Sequence, residues 1–366
     1  MITFVPLENY YDIYIYFALF LVLANVLHAY TVPLNNSKNI AFLKVSGIVL
    51  LFTLFFYIGL RPISGRYFGD MVTYSRYFTS YANGASVNVD RDILFHYYIK
   101  FISNFSSVYG LFLITTFIYI FPMYKLSKRL SPNYWFYIFF VFIVSFSFWS
   151  YGTNGIRNGV ATSLFLWGLC FHNKKIIMFS FFAVAAMFHK TTILPIAAYC
   201  FSLIYNKPKL YFLGWLASIP LSLVMGSVWI SLFASLGFGD DRLAGYLTGD
   251  VDASAFSNTG FRWDFVIYSA SAVFVGWYFI FKKNFNDKFY NHIFNTYLIC
   301  NAFWILVIRA NFSNRFAYLS WFLIGLVIIY PFIKQKYYPK QALTIAKVIV
   351  IYFSFTFLMY FVYYAK

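Results

Sequence analysis

Apolar runs long enough to cross a bilayer recur along almost the whole chain, at about 12–30, 40–60, 107–124, 133–150, 156–172, 210–236, 263–281, 289–308, 316–333 and 342–364. A spanning helix needs about 20 mostly apolar residues. The stretch 176–205 is longer than one span and is interrupted by His189-Lys190-Thr191-Thr192. One helix through it would bury that polar quartet near mid-membrane, at a cost of several kcal/mol. Two shorter helices meeting in a tight hairpin near the interface avoid the penalty and bring the total to about twelve. The expected fold is an all-α polytopic integral membrane protein, a single membrane domain over 1–366. Composition agrees, with 61% of residues apolar and only 11% charged. A soluble chain carries roughly a quarter of its residues charged, and disorder requires low hydrophobicity. Both are excluded.

The net charge is +17, but the basic residues sit in small groups between apolar runs, which encodes topology. With no basic stripe or soluble domain to carry it, a nucleic-acid partner is not expected. The first apolar run has no basic segment before it and no A-x-A site after it, so it is expected to remain as a helix. Cys170, Cys200 and Cys300 fall inside apolar runs without disulfide or metal spacing and read as small core residues. The chain holds 49 Phe, 34 Tyr and 9 Trp. Such aromatics suit sugar stacking and interfacial anchoring, yet an AT-rich genome would enrich Phe and Tyr without any functional cause.

With the N-terminus outside, the inner loops take sixteen basic residues, fifteen of them Lys. The outer side takes twelve, and nine of these are Arg: Arg61, Arg66, Arg76, Arg91, Arg157, Arg242, Arg262, Arg309 and Arg315. Ten of the eleven acidic residues also fall outside, Asp287 being the exception. Lysine inside is ordinary topology. Arginine outside opposes the positive-inside rule and asks for another cause. Its planar fork of donors matches phosphate oxygens and stays charged. Pairing among the outer loops accounts for part of the set, and an anion site on the outer face for the cluster as a whole.

Two outer loops are long enough for chemistry, about 61–106 and about 237–262. In the first, Ile93, Tyr97, Phe101 and Phe105 repeat every four residues, beside a polar line of Asp92, His96 and Lys100. That spacing predicts an amphipathic helix lying in the interface. The second, rich in Gly, Asp, Ser and Asn, reads as a flap.

Asp70, Tyr74 and Phe78 share one helical face, with Arg61 and Arg66 before them and Arg76 among them. Asp70 could orient a sugar hydroxyl, act as a base, or only neutralise the arginines. Arg157 lies at the outer mouth of one run and His189-Lys190 at the outer end of another. Ionisable residues at a membrane edge are functional candidates, and imidazole suits general-base work near neutrality. The alternative for His189 is a hydrogen-bonded interfacial residue. Asp90-Arg91-Asp92 and Asp250-Val251-Asp252 match a D-x-D pattern short enough to arise by chance, and no metal site or cofactor is expected. Walker, nucleophile-elbow, zinc and dinucleotide motifs do not occur.

Three segments resemble the EpsG-type polymerases, grouped with the Wzy-like O-antigen and capsule polymerases. The first is Gly69-Asp70 with Tyr74, Tyr77 and Phe78, downstream of Arg61, similar to the family's Arg…Gly-Thr-Asp-Tyr-x-x-Tyr loop. Here Gly69 abuts Asp70 with no Thr between, and Met71 replaces the Tyr. The second is IRNGVATSLFLWGL…KKIIMFSFFAVAAMFHKT, like the family's Ile-Arg-Gln segment, lysine pair and Ala-x-x-Phe-His ending, with Asn158 where Gln is usual. The third is Asn314-Arg315…Tyr318…Pro331.

The resemblance implies a GT-C-like glycosyltransferase of the bacterial inner membrane with its active site on the periplasmic side. It would move a growing glycan from undecaprenyl pyrophosphate onto the next lipid-linked repeat. The implied partners are those lipid-linked donors and acceptors, membrane lipids and a membrane protein that regulates chain length. Asp70, Arg157 and His189 take the catalytic positions. Arg61, Arg66, Arg76, Tyr74, Lys190, Arg309, Arg315 and Tyr318 form the expected substrate-binding set. A lipid-oligosaccharide flippase and a membrane acyltransferase remain as the other two readings.

Overall fold

The structure, a computed structural model, describes residues 1–235, 260–310 and 313–364. Every regular element among them is helical. Seven segments are long and apolar enough to cross a membrane: Leu7–Thr31, Ser37–Gly59, Val108–Leu130, Pro208–Phe233, Trp263–Lys282, Asn314–Lys334 and Gln341–Tyr363. These are the helices of a multi-pass membrane protein. The other expected crossings are shorter. The run 133–150 breaks into Trp135–Ile143 and Phe148–Thr153, and 156–172 yields Ile156–Leu169. The long stretch does split at the polar quartet, into Lys175–Phe188 and Ile193–Ile204.

The chain divides into two compact units, Met1–Thr192 with Phe332–Lys366, and Ile193–Pro331. In the first unit, α1 (Tyr10–Thr31) packs along the C-terminal helix Gln341–Tyr363. Next, α2 (Ser37–Gly59) packs on α6 (Val108–Leu130), which also packs on α9 (Ile156–Leu169). Between α2 and α6 lie α3 (Gly65–Phe68), α4 (Met71–Ala82) and α5 (Ile93–Ser103).

At the centre of this unit α7 (Trp135–Ile143) is buried on all sides. It stops at a serine-containing turn before α8 (Phe148–Thr153). A broken helix in an apolar interior frees carbonyls that need donors. Here neighbouring side chains supply them. Tyr14 Oη donates to Ile143 O, Thr356 Oγ1 to Val144 O at 3.0 Å, and Tyr119 Oη to Phe148 O at 2.9 Å. The break that the hydropathy pattern hides is therefore held by polar groups on three other helices.

The amphipathic helix forms as its spacing predicts. In α5, Ile93, Tyr97 and Phe101, with Phe105 just beyond, are exposed, while Phe95, His96, Ile99 and Ile102 are buried. The polar line turns inward. His96 Nδ1 shares a hydrogen with Tyr81 Oη at 2.8 Å, and Lys100 Nζ donates to Ala85 O at 3.0 Å.

In the second unit, the helix Lys288–Leu306 is packed by Ile193–Ile204 and Pro208–Ser235. Its buried polar groups are paired: Trp215 Nε1 donates to Asn301 Oδ1 at 2.7 Å, and Asn301 Nδ2 to Ser320 Oγ at 3.0 Å. Asp287, the acid set apart from the others by the sequence, caps this helix. Its carboxylate accepts from Tyr290 N and from Tyr330 Oη, both at 2.9 Å.

Candidate active site

Four segments of the first unit meet around one carboxylate. A short connection, from Leu169 to Lys175, folds α10 (Lys175–Phe188) back along α9. The start of α9, with Arg157, therefore lies beside the end of α10, with His189. The N-terminal end of α5 closes over both, and α4 packs on α5.

Asp92 occupies the position before α5 in the left-handed conformation, φ +48°. That conformation is uncommon outside Gly, with Asp and Asn the usual exceptions. It aims the carboxylate away from its own helix and into the cluster. Arg157 Nη1 donates to Oδ2 at 2.8 Å. His189 Nδ1 lies 3.1 Å from Oδ2 and 3.2 Å from Oδ1, and the Lys190 backbone N–H donates to Oδ1 at 3.3 Å. The Asp92 side chain is 6% exposed, against 28% for Arg157 and 18% for His189. Burial alone would raise the Asp92 pKa; the His189 hydrogen bond and charge, then Arg157 and the Lys190 N–H, outweigh it and hold the value below the usual carboxylate range.

A second chain of bonds runs outward. Arg157 Nε donates to Tyr74 Oη at 3.1 Å, and Tyr74 Oη donates to Asp70 Oδ2 at 3.2 Å. The guanidinium also lies over the Tyr74 and Phe95 rings, at 5.8 and 5.9 Å from their centroids. Asp70 N in turn donates to Asn154 Oδ1 at 3.1 Å. Gly69 makes this approach possible. Its φ is +50°, and a Cβ there would stand 2.0 Å from Asn154 Oδ1.

An ionised carboxylate only accepts hydrogen bonds, so the His189 hydrogen sits on Nδ1. Nε2 of His189 and Nη2 of Arg157 have no protein partner among the described residues. The cluster thus presents one imidazole nitrogen and one guanidinium nitrogen, both held from behind by the same carboxylate.

Of the residues expected at the site, the structure brings together Asp70, Tyr74, Arg157, His189 and the Lys190 main chain. Asp92, expected on the polar line of α5 and in the Asp90-Arg91-Asp92 pattern, is the centre. Asp70 bonds to Tyr74 and not to the imidazole.

Arg61, expected to bind substrate, is instead 1% exposed. Its Nη1 donates to Ile58 O at 2.6 Å and its Nη2 to Thr153 O at 3.0 Å, capping the ends of α2 and α8. The Phe68 and Phe112 rings lie over it. Its two terminal nitrogens are directed at helix ends.

Arg66 and Arg76 are exposed on α3 and α4 without bonding to the cluster. Arg309, Arg315 and Tyr318 belong to the second unit, where both arginines are exposed and Tyr318 is buried on Phe322. Arg242, the Asp250–Asp252 pattern and most of the 237–262 loop lie outside the described residues. Among the described residues no group of three or more His, Cys, Asp or Glu is gathered to hold a metal ion.

The sequence model of the EpsG family matches residues 44–366, a span that takes in every residue of this cluster. No curated protein and no solved structure matches the chain.

Proposed function

The chain belongs to the EpsG family, and on that premise we propose that it is a polysaccharide polymerase acting on lipid-linked glycans. The donor is a growing glycan on undecaprenyl pyrophosphate, and the acceptor is the next lipid-linked repeat. The reaction takes place at the outer face of the bacterial inner membrane. Seven long helices and five shorter apolar segments make up about twelve crossings in a GT-C-like arrangement.

One observation carries this reading: Arg157 and His189 are both held by Asp92, each with one nitrogen left unbonded among the described residues. Glycosyl transfer from a pyrophosphate needs positive charge at the leaving group and a proton acceptor at the attacking hydroxyl. Arg157 Nη2 supplies the first as preorganised charge, in the role that a divalent cation fills in other transferases. His189 Nε2 supplies the second. Tyr74 keeps Arg157 in place, and Asp70, exposed beyond it, is positioned for a sugar hydroxyl. Arg66, Arg76 and Lys190 add charge around the entrance. Arg315 and Tyr318 are assigned to substrate through the family motif, and Arg309 as one of the outer arginines.

A deletion strain analysed on a surface-glycan gel tests the reading. A single repeat on the acceptor is the polymerase result. Absence of any repeat indicates a flippase or an earlier enzyme and overturns it.

A further inference from the structure

Resting on the polymerase reading, we infer that Asp92 is the positioning residue of the transfer, one carboxylate that sets both the proton acceptor and the leaving-group cation. Its two oxygens take Arg157 Nη1 at 2.8 Å, His189 Nδ1 at 3.1 and 3.2 Å, and the Lys190 N–H at 3.3 Å. Each contact fixes something the chemistry uses. The bond to Nδ1 selects the tautomer with a lone pair on Nε2, and the bond to Nη1 leaves Nη2 as the end of the fork unbonded among the described residues.

The step balances as follows. The acceptor hydroxyl oxygen bonds to C1 of the donor glycan as the C1–O bond to the lipid pyrophosphate breaks. The bonding pair leaves with the pyrophosphate, whose growing charge Arg157 Nη2 meets. The hydroxyl proton passes to His189 Nε2, and solvent later removes it. While the imidazole carries that proton, the buried Asp92 carboxylate stabilises the cation, as the carboxylate does in other carboxylate–imidazole pairs. Asp92 itself touches neither sugar nor phosphate.

The backbone supports the assignment. Asp92 is one of two non-glycine residues with positive φ among those described, the other being Asn284. A strained conformation at a partly buried ion pair within a candidate site is where such conformations gather. An Arg–Asp pair serving stability alone would need neither the left-handed turn nor a second cationic partner on the same carboxylate.

Asp92→Asn is the discriminating variant. Asn tolerates the left-handed conformation, so the backbone is retained. Its amide can donate to Nδ1, which moves the imidazole hydrogen to Nε2 and removes the acceptor. Purified protein containing isotope-labelled histidine is compared by imidazole nitrogen NMR at a pH where imidazoles are neutral, with His189→Gln assigning the signal. The expected result is a hydrogen on Nδ1 in the wild type and on Nε2 in Asp92→Asn. With lipid-linked repeats as substrate, kcat should fall on the order of 10²-fold or more, with KM changed only a few-fold. Asp92→Glu, which keeps the carboxylate, should recover part of the rate. A wild-type hydrogen on Nε2, or an Asp92→Asn protein with unchanged kcat, overturns this inference while leaving the polymerase reading intact. A wild-type protein that does not polymerise defeats both.

Discussion

Arg157 and Asp92 stand 65 residues apart in the chain and 2.8 Å apart in the structure. Their contact joins the start of one apolar helix to the start of an amphipathic one. It also explains why the arginines resist a single account. One of them, Arg157, gives Nη1 to Asp92 and stays 28% exposed, whereas Arg61 is buried and gives both terminal nitrogens to helix ends. A partly buried ion pair is poor evidence for stability, because desolvation offsets much of the attraction. A third group drawn to the same carboxylate, His189, is better explained by chemistry than by folding.

Arg157→Lys should lose most of the polymerase activity, on the order of 10²-fold, while expression and folding hold, because an ammonium cannot bond Asp92, Tyr74 and a ligand in one plane. Initial rates with lipid-linked repeats decide this. A fully active Lys variant would make Arg157 a structural partner of Asp92.

Gly69→Ala is expected to reduce activity roughly 10–100-fold through misplacement of Asp70. The new Cβ would stand 2.0 Å from Asn154 Oδ1 at a residue with φ +50°. Pairing it with Asn154→Gly removes the clash but not the backbone strain, so partial recovery is the predicted outcome. No recovery would assign the loss to the backbone alone.

Arg61→Leu should lower stability by on the order of 3 kcal/mol, since two helix-end carbonyls lose a charged donor. The folded fraction should keep nearly wild-type kcat. Thermal unfolding in detergent, followed by rate measurement on the surviving protein, separates the two. Unchanged stability with lost activity would return Arg61 to the substrate-binding set.

Asp92 also predicts a pH dependence. Its pKa is depressed in the folded protein, so its stabilisation is fully present above the unfolded carboxylate value and is lost as pH falls through the folded one. The difference in unfolding midpoint between the wild type and Asp92→Asn should therefore not shrink until the pH drops below about 4. A difference that closes between about pH 7 and 5 would contradict the depressed value.

Much of the fold is legible in the amino-acid order alone. Hydropathy locates α1, α2, α6 and the C-terminal helix, because long apolar runs have few alternatives in lipid. The quartet at 189–192 marks a true helix break for the same reason. The break within 133–150 is not legible, since the donors that permit it, Tyr14, Tyr119 and Thr356, lie on other helices. At the site, Arg157, His189, Tyr74 and Asp70 stand out as polar residues at helix ends. Asp92 stands out as the first member of the Asp92, His96, Lys100 line and the last of the short Asp90-Arg91-Asp92 pattern, neither of which makes it a centre. Its importance depends on a left-handed turn and on partners 65 and 97 residues away, which no local pattern records. Arg61 carries the opposite signal: an arginine after a span resembles a ligand group until its burial is known.

The central claim is tested most directly by purified protein supplied with lipid-linked repeats, with products separated by length, comparing the wild type with His189→Ala. The wild type should build a ladder, and His189→Ala should lose on the order of 10²–10⁴-fold of its rate while remaining folded. A folded His189→Ala protein that builds the same ladder at the same rate would contradict the account.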